Sequence, residues 1–272
     1  MFCSIPSCTL IGTSGAPIRV ETTLYSGLPN FYIVGLPDNI VRESKERIRS
    51  ALHSSNLPFP AKRITVNLAP AHLKKAGTAL DFPIAISILC AEGLLPHEEG
   101  SILSNAMLIG ELSLNGELRP VPGALAMAYC ARNLGFRRLL LPSENAEEAA
   151  FLDGLEVIGI HTLAEATHYL RGFCSLDPTP HHLPQLAFGD PSPLRTFMGQ
   201  PLTLRALSVS AAGMHPILLW GPPGTGKTMA AQSLCALLPP LTQEEFLETG
   251  AIYSSLGLPL PRERPFRAPH HT

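Results

Sequence analysis

The stretch Gly221-Pro222-Pro223-Gly224-Thr225-Gly226-Lys227-Thr228 fits the pattern G-x-x-x-x-G-K-[ST]. Glycines in such a loop permit positive φ angles, so that main-chain N–H groups can curl toward phosphate oxygens. The lysine of the pattern reaches the β- and γ-phosphates, and the hydroxyl of the next residue holds Mg²⁺. We therefore predict that all eight residues bind a nucleotide, with Lys227 on phosphate and Thr228 on Mg²⁺.

The residues on either side of this loop support the interpretation. The run 217–220 is short and apolar, which predicts a buried parallel strand. Residues 227–238 are rich in helix-favouring types and are followed by two prolines, which predicts a helix that ends there. A strand, a loop and a helix in this order point the helix N-terminus at a bound anion. The alternative is an accidental Gly/Pro-rich turn, and a chance match in a chain of this length has odds of about one in a hundred.

Composition places few limits on partners. The chain of 272 residues is 45% hydrophobic, which leaves room for one large or two ordinary domains. Its net charge of −2 gives no overall attraction to nucleic acid or membranes. No run of apolar residues is long enough to span a membrane, and the first ten residues do not resemble a secretory signal. The cysteines are scattered and form no C-x-x-C, which predicts reduced core thiols in the cytoplasm rather than a disulfide framework or a zinc site.

The first 171 residues alternate strand-like and helix-like patterns. Their later half is a β-α-β-α series, which predicts that part of the sheet is parallel. Strands are predicted at 17–25, 31–35, 64–68, 138–141 and 155–160, with a hairpin of 107–114 and 117–121 around a type I′ turn at Asn115-Gly116. Helices are predicted at 39–54, capped by Asp38, at 81–90, capped by Asp81, and at 123–134, 143–150 and 163–170.

The helix at 39–54 is predicted to bury Ile40, Val41, Ile48, Ala51 and Leu52. Its other face mixes acidic and basic side chains, which could contact DNA phosphates. Pairs such as Glu43 with Arg47 and the partial cancellation of charge favour a solvated surface instead.

From residue 172 to residue 193 the sequence is proline-rich and without periodicity, which predicts a linker. His181 and His182 could ligate a metal, but no partner stands at ligand spacing, so an exposed linker is the favoured interpretation. A second part begins near Leu194, with a helix at 202–212 and a polar, turn-rich chain after Pro240. The predicted domains are 1–172, a linker at 173–193, and 194–272.

Several stretches together resemble one family, the ComM/YifB-type magnesium-chelatase-like AAA+ ATPases of bacteria. They are GLPNFYIVGLPDNIVRESKERIRSAL at 27–52, RITVNLAPAHLKKAGTALDFPIAI at 63–86, IGELSLNGELRPVPGAL at 109–125, the Walker A loop, and FRAPHHT at 266–272. The resemblance implies an α/β chain in which a Lon-protease-like domain, similar to ribosomal S5 domain 2, precedes the first part of a P-loop AAA+ domain. It also implies ATP and Mg²⁺ as cofactors, a homo-oligomeric ring, and DNA branch migration in recombination and transformation.

The Lon-like resemblance raises a Ser–Lys peptidase as a rival function. In that family the nucleophile ends a K-x-G-x-S segment, and the matching stretch here is Lys75-Ala76-Gly77-Thr78-Ala79, so Ala79 stands at the serine position. Ala126, after Gly123-Ala124-Leu125, stands at the position of the catalytic lysine. Methyl groups supply neither a nucleophile nor a base. The first domain is therefore predicted to lack the dyad, with Thr78 as a turn residue and no catalytic residue assigned.

A P-loop ATPase also needs an acidic Walker B residue at the end of a second apolar strand. After Asp190 the sequence has no aspartate, and its glutamates at 244, 245, 248 and 263 lie in polar surroundings. No sensor residue or arginine finger can be assigned, and Arg262, Arg264 and Arg267 are interpreted as surface or turn residues. We expect the chain to be the first half of a longer motor, binding nucleotide with little or no turnover.

Two further functions stay open. One is a magnesium-chelatase-like subunit that inserts Mg²⁺ into a porphyrin, which the Lon-like domain disfavours. The other is a non-catalytic interaction module, which is supported by alanine at positions Ala79 and Ala126 of the missing dyad. His270 and His271 could form a metal pair, but the resemblance favours a structural or nucleotide-proximal role.

Overall fold

The computed structural model describes residues 2–189 and 200–269. The chain divides into two units, one built from Met1–His182 with Ala251–Pro259 and the other from Leu183–Gly250 with Leu260–Thr272. The predicted start of the second part at Leu194 and the pair His270-His271 lie outside the described residues. The predicted domain limits therefore stay a prediction.

The first unit contains a seven-stranded sheet, a two-stranded ribbon and helices. Its strands are β1 (Phe2–Ile11), β2 (Ser14–Tyr25), β3 (Asn30–Val34), β4 (Arg63–Ala69), β5 (Ala106–Leu108), β6 (Glu111–Leu112), β7 (Leu118–Arg119), β8 (Arg138–Pro142) and β9 (Glu156–Ile160). Its helices are α1 (Asn39–Ser54), α2 (Asp81–Ala91), α3 (Ala124–Asn133), α4 (Ser143–Ala149) and α5 (Leu163–Leu170), with a 3₁₀ turn at Ile102–Asn105. The order in the sheet is β3-β4-β2-β1-β5-β8-β9, while β6 and β7 form a separate ribbon.

The pairing within the sheet confirms the mixed α/β fold class. β2 runs antiparallel to both β1 and β4. The other neighbours, β3 with β4 and the series β1, β5, β8 and β9, are parallel. The predicted parallel pairing in the β-α-β-α half is therefore confirmed. Helix α4 is the crossover that connects β8 to β9.

Strand β1 was not predicted, although it lies at the centre of the sheet. Its side chains alternate, and Cys3 and Ile5 are buried, but Ser7 and Thr9 also take buried positions. The Ser7 hydroxyl is satisfied there by donating to the Leu108 carbonyl at 2.8 Å. Buried polar residues that depend on a distant partner hide the period-two signal, which β2 shows clearly through its buried Ile18, Val20, Thr22 and Leu24.

Helix α1 begins as predicted. The Asp38 carboxylate accepts from the Val41 N–H at 2.8 Å and caps the first turn. The prediction that Ile40 lies on the buried face is wrong, because Ile40 is 45% exposed and Ser44 takes part in the buried stripe instead.

Helix α2 is buried on all sides, since it packs against β1 and β2 and against α1. The prediction that Asp81 caps it is wrong. The N-cap is Leu80, and no side chain bonds there. The Asp81 carboxylate instead accepts from Arg47 Nε at 2.6 Å and Nη2 at 3.0 Å. Arg47 is thus partly buried against Asp81, and not in the predicted pair with Glu43, because a two-point charged hydrogen bond is the stronger interaction.

The predicted hairpin exists but is shorter and its turn differs. β6 and β7 pair through Glu111 with Arg119 and Leu112 with Leu118, while residues 106–108 join the main sheet as β5. A type I′ turn needs positive φ at both central residues. Gly116 has φ +88°, but Asn115 is not among the residues with positive φ. The five residues 113–117 therefore form a wider loop, in which Ser113 N donates to the Glu117 carbonyl at 2.9 Å.

The second unit contains α6 (Pro201–Gly213), α7 (Lys227–Leu237) and the start of α8 (Gln243–Ser255). The predictions of α6 and α7 are confirmed, and the two helices share a small core around Leu207 and Ala230. Helix α8 was not predicted, although Thr242-x-x-Glu245 is a capping-box sequence. The Thr242 hydroxyl accepts from the Glu245 N–H at 3.2 Å, and the Glu245 carboxylate accepts from the Thr242 N–H at 2.8 Å.

The predicted buried strand at 217–220 is wrong. The segment has no strand assignment, and Leu218 and Trp220 are 91% and 95% exposed. A strand is stabilised by neighbours in a sheet, and the described part of the second unit contains no strand to pair with it. The helices of the described ranges are all too short or too polar to cross a bilayer.

Candidate functional site

The loop of residues 221–228 adopts the backbone that the sequence pattern requires. Gly224 and Gly226 have φ angles of +81° and +78°. A Cβ atom on Gly224 would meet nothing within 4 Å, so the glycine is needed for its backbone angle and not for space. Gly226 is the N-cap of α7, and its carbonyl accepts from the Ala230 N–H at 2.8 Å.

The main-chain donors of the loop are available to a ligand. Within the described residues, the N–H groups of residues 224–226 have no acceptor. The first N–H groups of α7 add to them, because a helix leaves its first four donors without an intrahelical partner. A cluster of donors at a helix N-terminus is a site for an anion such as a phosphate, so the residues fit a nucleotide.

The side chain of Lys227 contacts other residues of the loop. Its ammonium donates to the Pro222 carbonyl at 2.6 Å and lies 3.4 Å from the Thr225 hydroxyl. The Thr225 hydroxyl donates to the same Pro222 carbonyl at 3.0 Å. Thr228 lies exposed in the first turn of α7. Both side chains that the sequence assigns to phosphate and Mg²⁺ are therefore at the start of one helix, next to the loop donors.

A cavity of about 510 Å³ adjoins the loop. That volume falls within the usual range of small-molecule sites, about 300 to 1,000 Å³. Its lining includes Trp220, Pro222 and Lys227 from the loop region, together with Gln200 and Thr203 from the start of α6. The Gln200 side-chain amide donates to the Thr225 carbonyl at 3.1 Å and fixes that end of α6 to the loop.

The acidic residues among the described part of the second unit lie in helix or loop positions, not at the end of a strand. Glu244, Glu248 and Glu263 are exposed. Glu245 is engaged by Arg264, whose Nη2 and Nη1 donate to its carboxylate at 2.7 and 3.1 Å, and this hydrogen bonding lowers the pKa of Glu245. Arg264 also donates to the Pro239 carbonyl at 2.7 Å. Arg264, interpreted from the sequence as a surface or turn residue, lies partly buried in irregular chain and ties α8 to the chain that precedes it.

The positions that match the peptidase dyad carry buried methyl groups. Ala79 and Ala126 are 8% and 4% exposed. Thr78 is half-buried in the turn before α2, and its carbonyl accepts from the Asp81 N–H at 3.2 Å. Lys75 is fully buried and donates to the Pro70 carbonyl, and burial lowers the pKa of Lys75. Its amine is thus engaged by the main chain of the same loop.

The other candidate ligands that the sequence offers are two histidines and the scattered cysteines. His181 and His182 are both exposed. The Nδ1 atom of His181 lies 2.8 Å from the Ala150 carbonyl oxygen. The ring of His182 lies 4.8 Å from the ring of Phe151. Among the cysteines, Cys3, Cys8 and Cys90 are buried, but Cys174 is exposed. The predicted burial is therefore confirmed for Cys3, Cys8 and Cys90, whereas Cys130 and Cys235 are half-buried, and it is wrong for Cys174, which follows α5 in irregular chain.

Comparison with known proteins gives two family models. Subunit ChlI of Mg-chelatase matches residues 20–145, and Magnesium chelatase, subunit ChlI, matches residues 193–272. The first match contains Ala79 and Ala126, and the second contains the whole loop at 221–228.

Longer relatives match almost the entire chain. The uncharacterized protein YifB of Escherichia coli is 40% identical over 267 residues, and the competence protein ComM of Haemophilus influenzae is 38% identical over 270 residues. Each alignment covers 96% of this chain and 52% of the relative. The chain thus spans about half the length of the curated relatives it matches.

A more distant relative bears on the first unit. A Lon protease of Lachnoclostridium phytofermentans is 24% identical over 168 residues, covering 58% of this chain and 21% of the protease. With the ChlI match, this similarity confirms the predicted fold class, a Lon-like domain followed by the start of an AAA+ domain.

Proposed function

Since this chain belongs to the ComM/YifB-type family of magnesium-chelatase-like proteins, we propose that its loop at residues 221–228 binds ATP with Mg²⁺. The observation that carries this proposal is the loop itself, which gathers unpartnered N–H groups, the Lys227 ammonium and the N-terminus of α7 in one place. On binding, Lys227 exchanges the Pro222 carbonyl for phosphate oxygens. The Thr228 hydroxyl becomes a ligand of Mg²⁺, which neutralises charge on the phosphates.

The complete protein is proposed to be a ring-shaped AAA+ motor that remodels DNA in recombination. ComM is named a competence protein, and this name supports extending a role in transformation to the present chain. Branch migration is proposed as the mechanism from the family resemblance alone. Hydrolysis would need a Walker B acid, and in the described residues Glu245 is held by Arg264. We therefore propose that this chain binds nucleotide in the cytoplasm but does not turn it over by itself.

The second candidate is a magnesium-chelatase-like subunit, which the names of both matching family models favour. Binding of forked DNA and of a porphyrin, measured side by side on the same protein, separates the two candidates. A non-catalytic interaction module is the third candidate, and it would show neither these affinities nor nucleotide binding.

Trp220 offers a direct test of nucleotide binding. It is the only tryptophan of the chain, is 95% exposed, and lines the cavity beside the loop. Mg-ATP is expected to change its emission in a saturable way, because the ligand alters the polarity around the indole. In a Thr228→Ala variant the affinity for ATP is expected to lose its dependence on Mg²⁺, since the metal loses its protein ligand. Absence of binding in both fluorescence and calorimetry would contradict the proposed function.

A further inference from the structure

Cys3, Cys90 and His97 form a cluster of potential metal ligands in the first unit. One ligand atom from each, two sulfurs and an imidazole nitrogen, lie within 4.8 Å of one another. Both cysteines are 1% exposed and belong to the main hydrophobic core, whereas His97 is exposed. The cluster therefore has a buried thiol side and an imidazole side open to solvent.

The chain after α2 fixes the loop that carries His97. α2 ends at Ala91, and Gly93, two residues later, reverses the backbone with a φ of +81°. The Gly93 N–H donates to the Cys90 carbonyl and the Leu94 N–H to the Leu89 carbonyl, both at 2.9 Å, which is a Schellman motif. Leu95 then packs into the core at 3% exposure. His97 follows two residues later, so main-chain hydrogen bonds and packing hold the segment that leads to it.

The other two ligands are held by the sheet and by the helix. Cys3 pairs with Thr22 across β1 and β2. The Thr22 hydroxyl is 2.6 Å from the Ser87 hydroxyl, and Ser87 lies one turn before Cys90 on α2. This contact ties the strand next to Cys3 to the helix that carries Cys90, so the separation of the two sulfurs does not depend on a mobile segment.

A second thiol pair in the same unit provides an internal comparison. The Cys8 and Cys130 thiols influence each other's protonation, as those of Cys3 and Cys90 do. In each pair the neighbouring thiol lowers the pKa of one member, Cys3 or Cys130, and raises the pKa of the other. Among the described residues, however, only the pair of Cys3 and Cys90 has a third ligand within reach. The imidazole is what distinguishes a metal site from a pair of core thiols.

We propose that Cys3, Cys90 and His97 bind a zinc ion, with water as the fourth ligand. Thiolate sulfur and imidazole nitrogen are the ligands that Zn²⁺ takes in proteins, at bond lengths of about 2.3 and 2.0 Å. Tetrahedral coordination brings ligand atoms to roughly 3.5 Å from one another, and the three ligand atoms here already lie within 4.8 Å. Both thiols lose their protons to solvent on binding, so affinity rises with pH. Mg²⁺ prefers oxygen ligands, so the Mg²⁺ that accompanies a nucleotide is not expected to bind at this site.

The test is a metal titration of the purified full chain under reducing conditions, after removal of metal with a chelator. Co²⁺ is expected to bind as one equivalent, with thiolate-to-cobalt charge-transfer bands and the intense visible bands of tetrahedral cobalt, and Zn²⁺ is expected to displace it. Zn²⁺ is also expected to raise the Tm, because it binds the folded state and links β1 to α2.

Matched variants separate this site from other metal binding. Cys90→Ser is expected to abolish the charge-transfer bands, and His97→Ala to weaken Co²⁺ binding at least about tenfold while changing the visible spectrum. Cys130→Ser and His53→Ala, a cysteine of the other pair and an exposed histidine of α1, are expected to behave as the unsubstituted protein. His97 is exposed, so its variant tests the site even where Cys90→Ser fails to fold.

Three outcomes would overturn the proposal. The first is the absence of tetrahedral cobalt bands in a folded, reduced sample. The second is equal affinity in the unsubstituted protein and the His97→Ala variant. The third is a disulfide between Cys3 and Cys90 that persists in reductant, detected by peptide mass.

Discussion

Replacing Arg47 by alanine is expected to lower the free energy of unfolding by about 3 kcal/mol, because it leaves a buried carboxylate without its partner. Asp81 is 1% exposed at its side chain, and among the described residues only the Leu112 N–H donates to it besides Arg47, at 3.4 Å. Arg47 is 20% exposed, so its loss removes the charge that compensates the more deeply buried group. Urea denaturation followed by circular dichroism measures the change.

Arg42→Ala is the matched control, since Arg42 is an exposed arginine on the same helix. Its effect is expected to stay within about 0.5 kcal/mol. The double change of Arg47→Met with Asp81→Leu is expected to recover most of the lost stability, because two apolar side chains need no compensation for burial. An Arg47→Ala protein as stable as Arg42→Ala would show that solvent screens Asp81.

The same carboxylate predicts how stability depends on pH. Burial, only partly offset by Arg47, raises the pKa of Asp81 to about 6, well above that of an aspartate in an unfolded chain. The folded protein therefore holds this proton more tightly than the unfolded one between about pH 4 and pH 6. The contribution of Asp81 to the free energy of unfolding is fully present below that window and is lost as the pH rises through it. An Asp81→Asn variant is expected to lack this dependence, which denaturation at several pH values would reveal.

Lys227→Ala is expected to weaken ATP binding by about 2 to 3 kcal/mol, or roughly 30- to 150-fold in Kd. The ammonium is the cationic side chain that lines the cavity beside the loop, and alanine removes a charged donor to the phosphates. The loop backbone should keep its shape, because its turns depend on the positive φ angles of Gly224 and Gly226. Emission of Trp220 or calorimetry gives the affinity.

Arg205→Ala provides the control for charge. Arg205 is exposed on α6 and does not line the cavity, so its loss is expected to leave Kd unchanged within about twofold. If both variants bound ATP like the unsubstituted protein, the proposed role of Lys227 would be wrong. If both lost affinity equally, the effect would be one of overall charge and not of the loop.

The candidate site was predictable where its requirements are local. The need for φ above zero at Gly224 and Gly226, and for Lys227 at the first turn of a helix, depends on residues within one short segment. The cap at Asp38 is equally local, and it was also correct. The capping box at Thr242 was available in the sequence by the same logic, and α8 could have been predicted from it.

The errors arise where a residue's state depends on a distant partner. Asp81 suits a helix cap by its position, but its carboxylate binds Arg47, 34 residues earlier in the chain. The run 217–220 suits a buried strand by composition, but a strand needs neighbours, and none is present in the described second unit. Neither partner is visible in the local pattern.

The amino-acid sequence by itself determined the phosphate-loop pattern, most helix limits and the β-α-β-α half, because backbone angles, caps and periodicity are set by near neighbours. The tertiary structure decided the central place of β1, the burial of the Arg47–Asp81 pair, and the meeting of Cys3 with Cys90 and His97. These contacts join residues far apart in the chain, and their energy depends on which surfaces the sheet and helices bring together. Sequence spacing alone carries no information about that.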